Sequence, residues 1–274
     1  MSIRVQKIIG QFFIYVIIGI ALIFTLFPFY WMLLTSFQPP NELMQYPPRF
    51  VTTSPTLEHW RFALTTRWRN LINSLIISAS ATAIAIVAGL TSGYAFARYR
   101  IGGNSLPFWI LSLKFFPPIV SAVPFFLMMN QFRLLDTHIA VIIPHLIITI
   151  PFAVWMIKGF VTEVPRELEE AAMIDGCSHL GVIYRITLPL IAPGVVVTAL
   201  FCFVWSWNDF LFALILTRSR AVTLPVAVAG MREAHGLMWG AVSATATIAT
   251  MPILIIAIAL QKYIVRGLSL GAVK

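Results

Sequence analysis

The sequence predicts an all-α, polytopic membrane protein with six transmembrane helices. Three observations carry that prediction. Of the 274 residues, 59% are hydrophobic and 11% charged, and mean hydropathy is +0.88, whereas a soluble domain carries about 25% charge. The apolar residues gather in six runs, each near the ~20 residues a helix needs to cross a hydrocarbon core. Between the fourth and fifth runs lies an insert, 161–193, that is polar and then amphipathic.

The remaining composition narrows the class. The net charge is +9, but the basic residues stand singly between apolar runs instead of forming a stripe, so nucleic acid is not indicated as a partner. Charges of this kind flank membrane spans. Cys177 and Cys202 are the only cysteines and form no C-x-x-C, so the sequence points to neither a zinc site nor a disulfide framework. The N-terminus places Arg4 and Lys7 before a stretch without charge from 8 to 41. That is too long for the ~7–15-residue core of a signal peptide and predicts a retained first span.

The elements follow in order. Span one is expected over 12–37, with Pro28 inside it and Phe29, Tyr30 and Trp31 suited to the membrane–water boundary. A polar loop, 38–69, comes next. Span two, 71–97, carries recurrent small residues, among them Ser78, Ala81, Ala85, Gly89 and Gly93. Small side chains let helix backbones approach in lipid, so this span is expected at the centre of the bundle. Span three, 106–129, is irregular: Lys114 interrupts it, and Pro117, Pro118 and Pro124 break its hydrogen-bond ladder. Two readings fit Lys114, a snorkelling lysine or an intramembrane functional group.

Span four is expected over 139–160, with Pro144 and Pro151 inside it. Span five, 194–216, contains Trp205, Ser206, Trp207, Asn208, Asp209 and Phe210. Asp209 is its only acid, which requires either an interfacial position or a partner. Span six covers 238–260. An even number of spans puts both termini on one side. Ten basic residues fall on that side (Arg4, Lys7, Arg98, Arg100, Lys158, Arg166, Arg185, Lys262, Arg266, Lys274) and eight on the other. That bias is too small to set orientation by the positive-inside rule.

Several chemistries are excluded or unsupported. None of the five lysines follows a glycine, so the G-K-[ST] core of a phosphate-binding loop cannot occur. H-E-x-x-H is not present. The insert instead predicts a helix, a glycine turn and a second helix outside the bilayer. Pro165 suits a first helical position, and Glu167, Glu169 and Glu170 suit the positive end of the helix dipole. Leu168, Ala171, Ala172 and Asp175 share a face. Gly176 suits a left-handed C-terminal cap and Ser178 an N-cap. The second helix is expected to end by Pro189. The physics leaves two roles open, an amphipathic hairpin lying on lipid or a docking surface for a soluble partner.

The residues Glu170-Ala171-Ala172, Asp175-Gly176, Ile186, Leu188-Pro189 and Pro193 resemble the EAA loop of binding-protein-dependent ABC importer permeases. The stretch 207–210 and the tail 261–274 resemble the carbohydrate branch, in particular the smaller maltose-transporter-like permease subunit. The resemblance covers nearly the whole chain. It implies one permease domain with the type I importer fold, N-in and C-in, multi-pass in the bacterial inner membrane. The implied function is inward movement of a sugar, a di- or oligosaccharide, by alternating access. A permease for a non-sugar solute such as a glycerol phosphate, and a stand-alone secondary transporter, are the alternative readings.

The implied partners are a second permease subunit in a heterodimer, two cytoplasmic ATPases, an extracytoplasmic solute-binding protein and membrane lipid. ATP and Mg would be bound by the partner ATPase and no cofactor by this chain, which would be non-catalytic. Coupling to the ATPase is implied for Glu170, Ala171, Ala172, Asp175, Gly176, Leu188 and Pro189, with Glu170 as an ionic contact. Cys177 stands where a small alanine-like residue is usual. Lys114, Trp205, Asn208 and Asp209 are the candidates for a translocation path.

Overall fold

The structure, a computed structural model, describes residues 3–99, 101–103, 105–233 and 236–270, with side chains over 10–99, 101–103, 105–231 and 238–263. Arg100, His235 and the tail 271–274 lie outside the described residues, as do the side chains of Arg4, Lys7, Arg232 and Arg266. Helices dominate in chain order: α1 (Ile3–Phe37), α2 (Pro40–Leu43), α3 (Glu58–Thr66), α4 (Trp68–Tyr99), α5 (Ser105–Ser112), α6 (Pro118–Gln131), α7 (His138–Glu163), α8 (Arg166–Ile174), α9 (His179–Val182), α10 (Leu188–Trp207), α11 (Leu211–Leu216), α12 (Leu224–Ala229) and α13 (Trp239–Leu270). A two-residue antiparallel ladder pairs Arg232 with Leu237 and Glu233 with Gly236. Among the described residues, five helical segments are long and apolar enough to cross a membrane, and the pair 105–115 and 118–131, bent by 85°, makes a sixth when counted as one broken span.

The contacts divide into two compact units. The first runs to Trp68 and includes Gly230–Thr250. In it α1 is apolar all round from Phe12 to Phe29, and its side chains there are almost all exposed. A helix of that kind is stable only against lipid or another apolar surface. The loop after α1 folds around Glu42, which is buried and accepts hydrogen bonds from Thr52 and Thr53, both at 2.8 Å, and from Ser54 at 3.3 Å. Trp60 Nε1 donates to Ser36 Oγ at 3.1 Å.

The second unit runs over Arg69–Ala229 and resumes at Met251. In it α4 packs closely on α7. A Cβ on Gly89 would lie 2.8 Å from the Ala153 Cβ, and one on Gly93 would lie 2.9 Å from the Lys158 backbone N. The small-residue stripe of span two therefore does what close packing in lipid requires. The same device recurs where α10 meets α7, with Phe160 lying over Gly194.

Two spans are broken. Lys114 lies in a single 3₁₀ turn, Leu113–Phe115, between α5 and α6, and Pro117 and Pro118 end one helix and start the next. The fifth span differs from its expected limits. The second helix of the insert does not stop at Pro189; α9 passes through one wide π turn, Ile183–Thr187, into α10. In that turn the Leu188 N–H reaches back five residues to Ile183 O. The wide turn just before Pro189 absorbs the missing N–H and the ring clash that would break a regular helix. The apolar run then ends at Trp207, and a break at 208–210 separates α10 from α11.

Candidate coupling and translocation sites

The polar insert is built from α8, the turn at Gly176 and α9. Pro165 stands one place earlier than expected, as the N-cap residue with extended backbone, and Glu167 and Glu169 occupy the first turn. The helix ends in a Schellman cap: Cys177 N–H donates to Ala172 O at 2.9 Å and Gly176 N–H to Met173 O at 3.0 Å. Gly176 has φ +88°, a conformation costly for residues with a Cβ. Ser178 caps α9 by accepting the Gly181 N–H at 3.2 Å.

Orientation around α8 separates two adjacent glutamates. Glu170 is exposed, together with Ala171 and Asp175, and so is Pro189; Leu188 is half-buried. Glu169 and Ala172 are buried. Ala172 thus packs toward this chain's own interior. The exposed side of the insert also carries Leu168, Ile174, Leu180 and Tyr184, with Ile174 86% exposed. Apolar side chains in that setting, bordered by Glu170 and Asp175, are the composition of an interface patch.

Glu169 is held from three directions. Its carboxylate accepts Arg98 Nε and Nη2, both at 2.8 Å, Thr187 Oγ1 at 2.6 Å and Tyr94 OH at 3.1 Å. Arg98 Nη2 also donates to Val164 O at 3.0 Å. Burial pushes the Glu169 carboxyl up, but the hydrogen bonds from Arg98 and Thr187, the Arg98 charge and the bond from Tyr94 outweigh it and hold the group below the ordinary carboxylate range. A fork-on-carboxylate pair of this kind is geometrically specific as well as strong. The sequence carries no local signal for it, because Arg98 and Glu169 are 71 residues apart.

The residues expected along a path meet near the break in the fifth span. Lys114 Nζ lies 4.5 Å from the Phe152 ring centroid and 5.4 Å from that of Trp205, a cation held over two π faces. A groove of about 650 Å³ is lined by Pro118, Ile119, Trp205, Asn208, Asp209 and Phe210, among others. Asn208 turns one donor back to Val204 O at 2.8 Å. Asp209 Oδ2 accepts the Ala213 N–H at 3.2 Å and so caps α11.

Asp209 is paired. His145 Nε2 lies 3.1 Å from its Oδ2, although the ring is not aligned there for a hydrogen bond; the short distance still makes this a close electrostatic contact. His145 Nδ1 is 2.7 Å from Ser206 Oγ. The signal available in the sequence was the rule that intramembrane ionisable groups need partners, with His145 in span four and Asp209 in span five. Among the described residues no group of three or more His, Cys, Asp or Glu side chains could hold a metal ion.

Outside the spans, Asp136 sits at φ +61° in the loop before α7. Its carboxylate accepts the backbone N–H groups of Arg218, Ser219, Arg220 and Ala221 at 2.9–3.2 Å. Burial pushes this group up, but those four donors overcome it and hold the carboxyl far below the usual range.

Paired and broken helices around a groove, with a capped hairpin carried at one end of the fifth span, are the build of a transporter's membrane permease. The fold is shared with a chain in the crystal structure of a bacterial ABC transporter involved in the import of the acidic polysaccharide alginate. There the TM-score is 0.79 at 21% identity, covering 96% of this chain and 99% of that one.

A family model described as the inner membrane component of binding-protein-dependent transport systems matches residues 85–270, and the chain belongs to that family. It is therefore a multi-pass inner-membrane protein and a non-catalytic permease component, with ATP hydrolysis in a separate subunit. It is 36% identical over 270 residues to the trehalose/maltose transport system permease MalG of Thermococcus litoralis, covering 95% of this chain and 96% of that protein. It is 32% identical over 254 residues to the diacetylchitobiose uptake system permease DasC of Streptomyces coelicolor, covering 90% and 91%.

Proposed function

We propose that this chain is one of two different permease subunits that together move a di- or oligosaccharide inward by alternating access. The observation that carries the driving role is the outward side of α8 and α9, where Glu170, Ile174 and Leu180 are free of this chain's own core. That surface seats a cytoplasmic ATPase, which binds ATP and Mg; the chain needs no cofactor of its own. Docking there puts the insert in the cytoplasm and makes the chain N-in and C-in, with the loop after α1 facing the solute-binding protein. The sugar class rests on the relatives that handle trehalose, maltose and diacetylchitobiose. Lys114, Trp205, Asn208 and Asp209 line the path.

Gly176→Leu tests the docking surface. A Cβ there meets nothing within 4 Å, but φ is +88°, so the variant strains the turn and projects bulk outward without filling the core. In membranes from cells co-expressing the neighbouring transport genes, the amount of the chain should stay at wild-type level. Co-purification of the ATPase, and uptake of labelled trehalose or maltose, should fall by about tenfold, the scale of a coupling energy of 1–2 kcal/mol. Wild-type co-purification in the variant would remove α8 and α9 from the interface. A binding screen on the cognate solute-binding protein, with maltose, trehalose and glycerol 3-phosphate, identifies the cargo class; binding of the phosphate alone would overturn the sugar reading.

A further inference from the structure

We propose that the Arg98–Glu169 pair is the joint through which displacement of α8 is delivered to α4, so that Glu169 and Arg98 are positioning residues for transport. The inference rests on the reading above that α8 is where the ATPase acts.

A docking helix needs two kinds of surface, one for the partner and one that grips its own protein. The adjacent glutamates divide these tasks, with Glu170 exposed and Glu169 buried. Without the grip, α8 would keep only its flanking chain, Val164 and Pro165 on one side and the turn at Gly176 with Cys177 on the other, the packing of Ala172, and the bond from Arg166 to a backbone carbonyl of α4. Backbone connections of that kind can pivot, and a helix that pivots dissipates a push.

The Glu169 carboxylate removes that freedom. Each of its oxygens accepts two donors: Arg98 Nη2 and Thr187 on one, Arg98 Nε and Tyr94 on the other. Both arginine bonds are 2.8 Å, so the fork fixes direction as well as distance. The side chains of Arg98 and Glu169 are 8% and 6% exposed, and breaking one partner of so buried a pair leaves an uncompensated charge.

The donors come from the elements that have to move. Tyr94 and Arg98 are the last turns of α4, and Thr187 closes the π turn that leads into α10. Arg98 also holds Val164, just past the end of α7. A second tie, Arg166 Nη2 to the Arg98 carbonyl at 3.2 Å, fastens the start of α8 to the same end of α4. From there α4 is in backbone-close contact with α7 at Gly89 and Gly93. Close-packed helices shift as units, so a displacement entering at Glu169 is carried up α4 instead of being lost in the loop.

The test uses the whole complex in lipid nanodiscs and needs no substrate. Hydrogen exchange is followed by mass spectrometry with and without ATP and vanadate, in wild type, Arg98→Lys and Glu169→Gln. Both substitutions retain size, and Arg98→Lys also retains charge. In wild type, nucleotide should change exchange in both α8 and the 90–99 end of α4. In the variants the change in α8 should persist while that in α4 shrinks about fivefold or more, the lower end of an allosteric coupling. A merely structural role would alter exchange without nucleotide and leave the two responses proportionate. Equal responses in α4 of variant and wild type would overturn the joint. No nucleotide response in α8 of wild type would overturn the docking reading itself, and the joint with it. Should the single variants not assemble, the double variant Arg98→Met with Glu169→Leu replaces the buried pair by apolar side chains of similar size, an exchange that buried ion pairs often tolerate; an α4 response equal to wild type in that variant would overturn the proposal equally.

Discussion

Asp136 illustrates how one side chain organises two loops. Its carboxylate gathers four consecutive backbone N–H groups, 218–221, and the Ser219 hydroxyl at 3.0 Å. Asn accepts the same left-handed backbone that Asp136 adopts, so Asp136→Asn isolates the charge. The folded-state pKa lies below the unfolded value of about 3.9, so the stabilisation is present above that pH and is lost as pH falls through the folded value. Discounted for its partial exposure, the loss at pH 7 should be about 1–2 kcal/mol. It would read as a lower Tm for the purified complex, and the gap from wild type should narrow below about pH 4. A gap independent of pH would mean the charge is not what the loop needs.

Lys114 and Asn208 belong to the same scale. Lys114 has no carboxylate partner among the described residues and rests on Phe152 and Trp205; Asn208 lies on the groove. Lys114→Ala and Asn208→Ala should each change uptake of labelled trehalose or maltose severalfold while the ATPase still co-purifies. Unchanged uptake would return both residues to a packing role.

At the scale of elements, glycine decides how near two helices come. Gly93→Ala would place a methyl 2.9 Å from the Lys158 N and 3.1 Å from the Val154 O, backbone atoms that cannot swing aside. It should cost about 1–3 kcal/mol. Gly159→Ala, on α7 itself, meets nothing within 4 Å and should be neutral, or gain up to about 1 kcal/mol from helix propensity. Thermal unfolding of the two variants side by side checks the pair; equal Tm values would show that α4 and α7 are not held at contact distance. The insert and the fifth span form a second lesson at this scale. Prolines at 189 and 193 suggest a stop, yet the helix runs from His179 to Trp207 because a π turn accommodates the first of them. A force arriving at α9 therefore enters a continuous helix, with no loop between.

For the whole molecule, lipid acts as part of the solvent, and this was legible in the sequence because composition is a bulk property. With 11% charge and six apolar runs, there is no polar surface sufficient to face water. The small-residue stripe on span two, the glycine cap of the insert and the break at Pro117 and Pro118 were legible too, since each is a local steric rule about φ, N–H groups or side-chain volume. What only the tertiary structure decided is which distant charges meet. Arg98 finds Glu169, His145 approaches Asp209, and Asp136 finds the 218–221 backbone across separations of 64 to 85 residues. Such pairings leave no periodicity, because they are fixed by how helices pack and not by spacing along any one of them. A carboxylate taken out of water requires a partner; the sequence shows that the partner is needed, and only the packed helices determine which one it is.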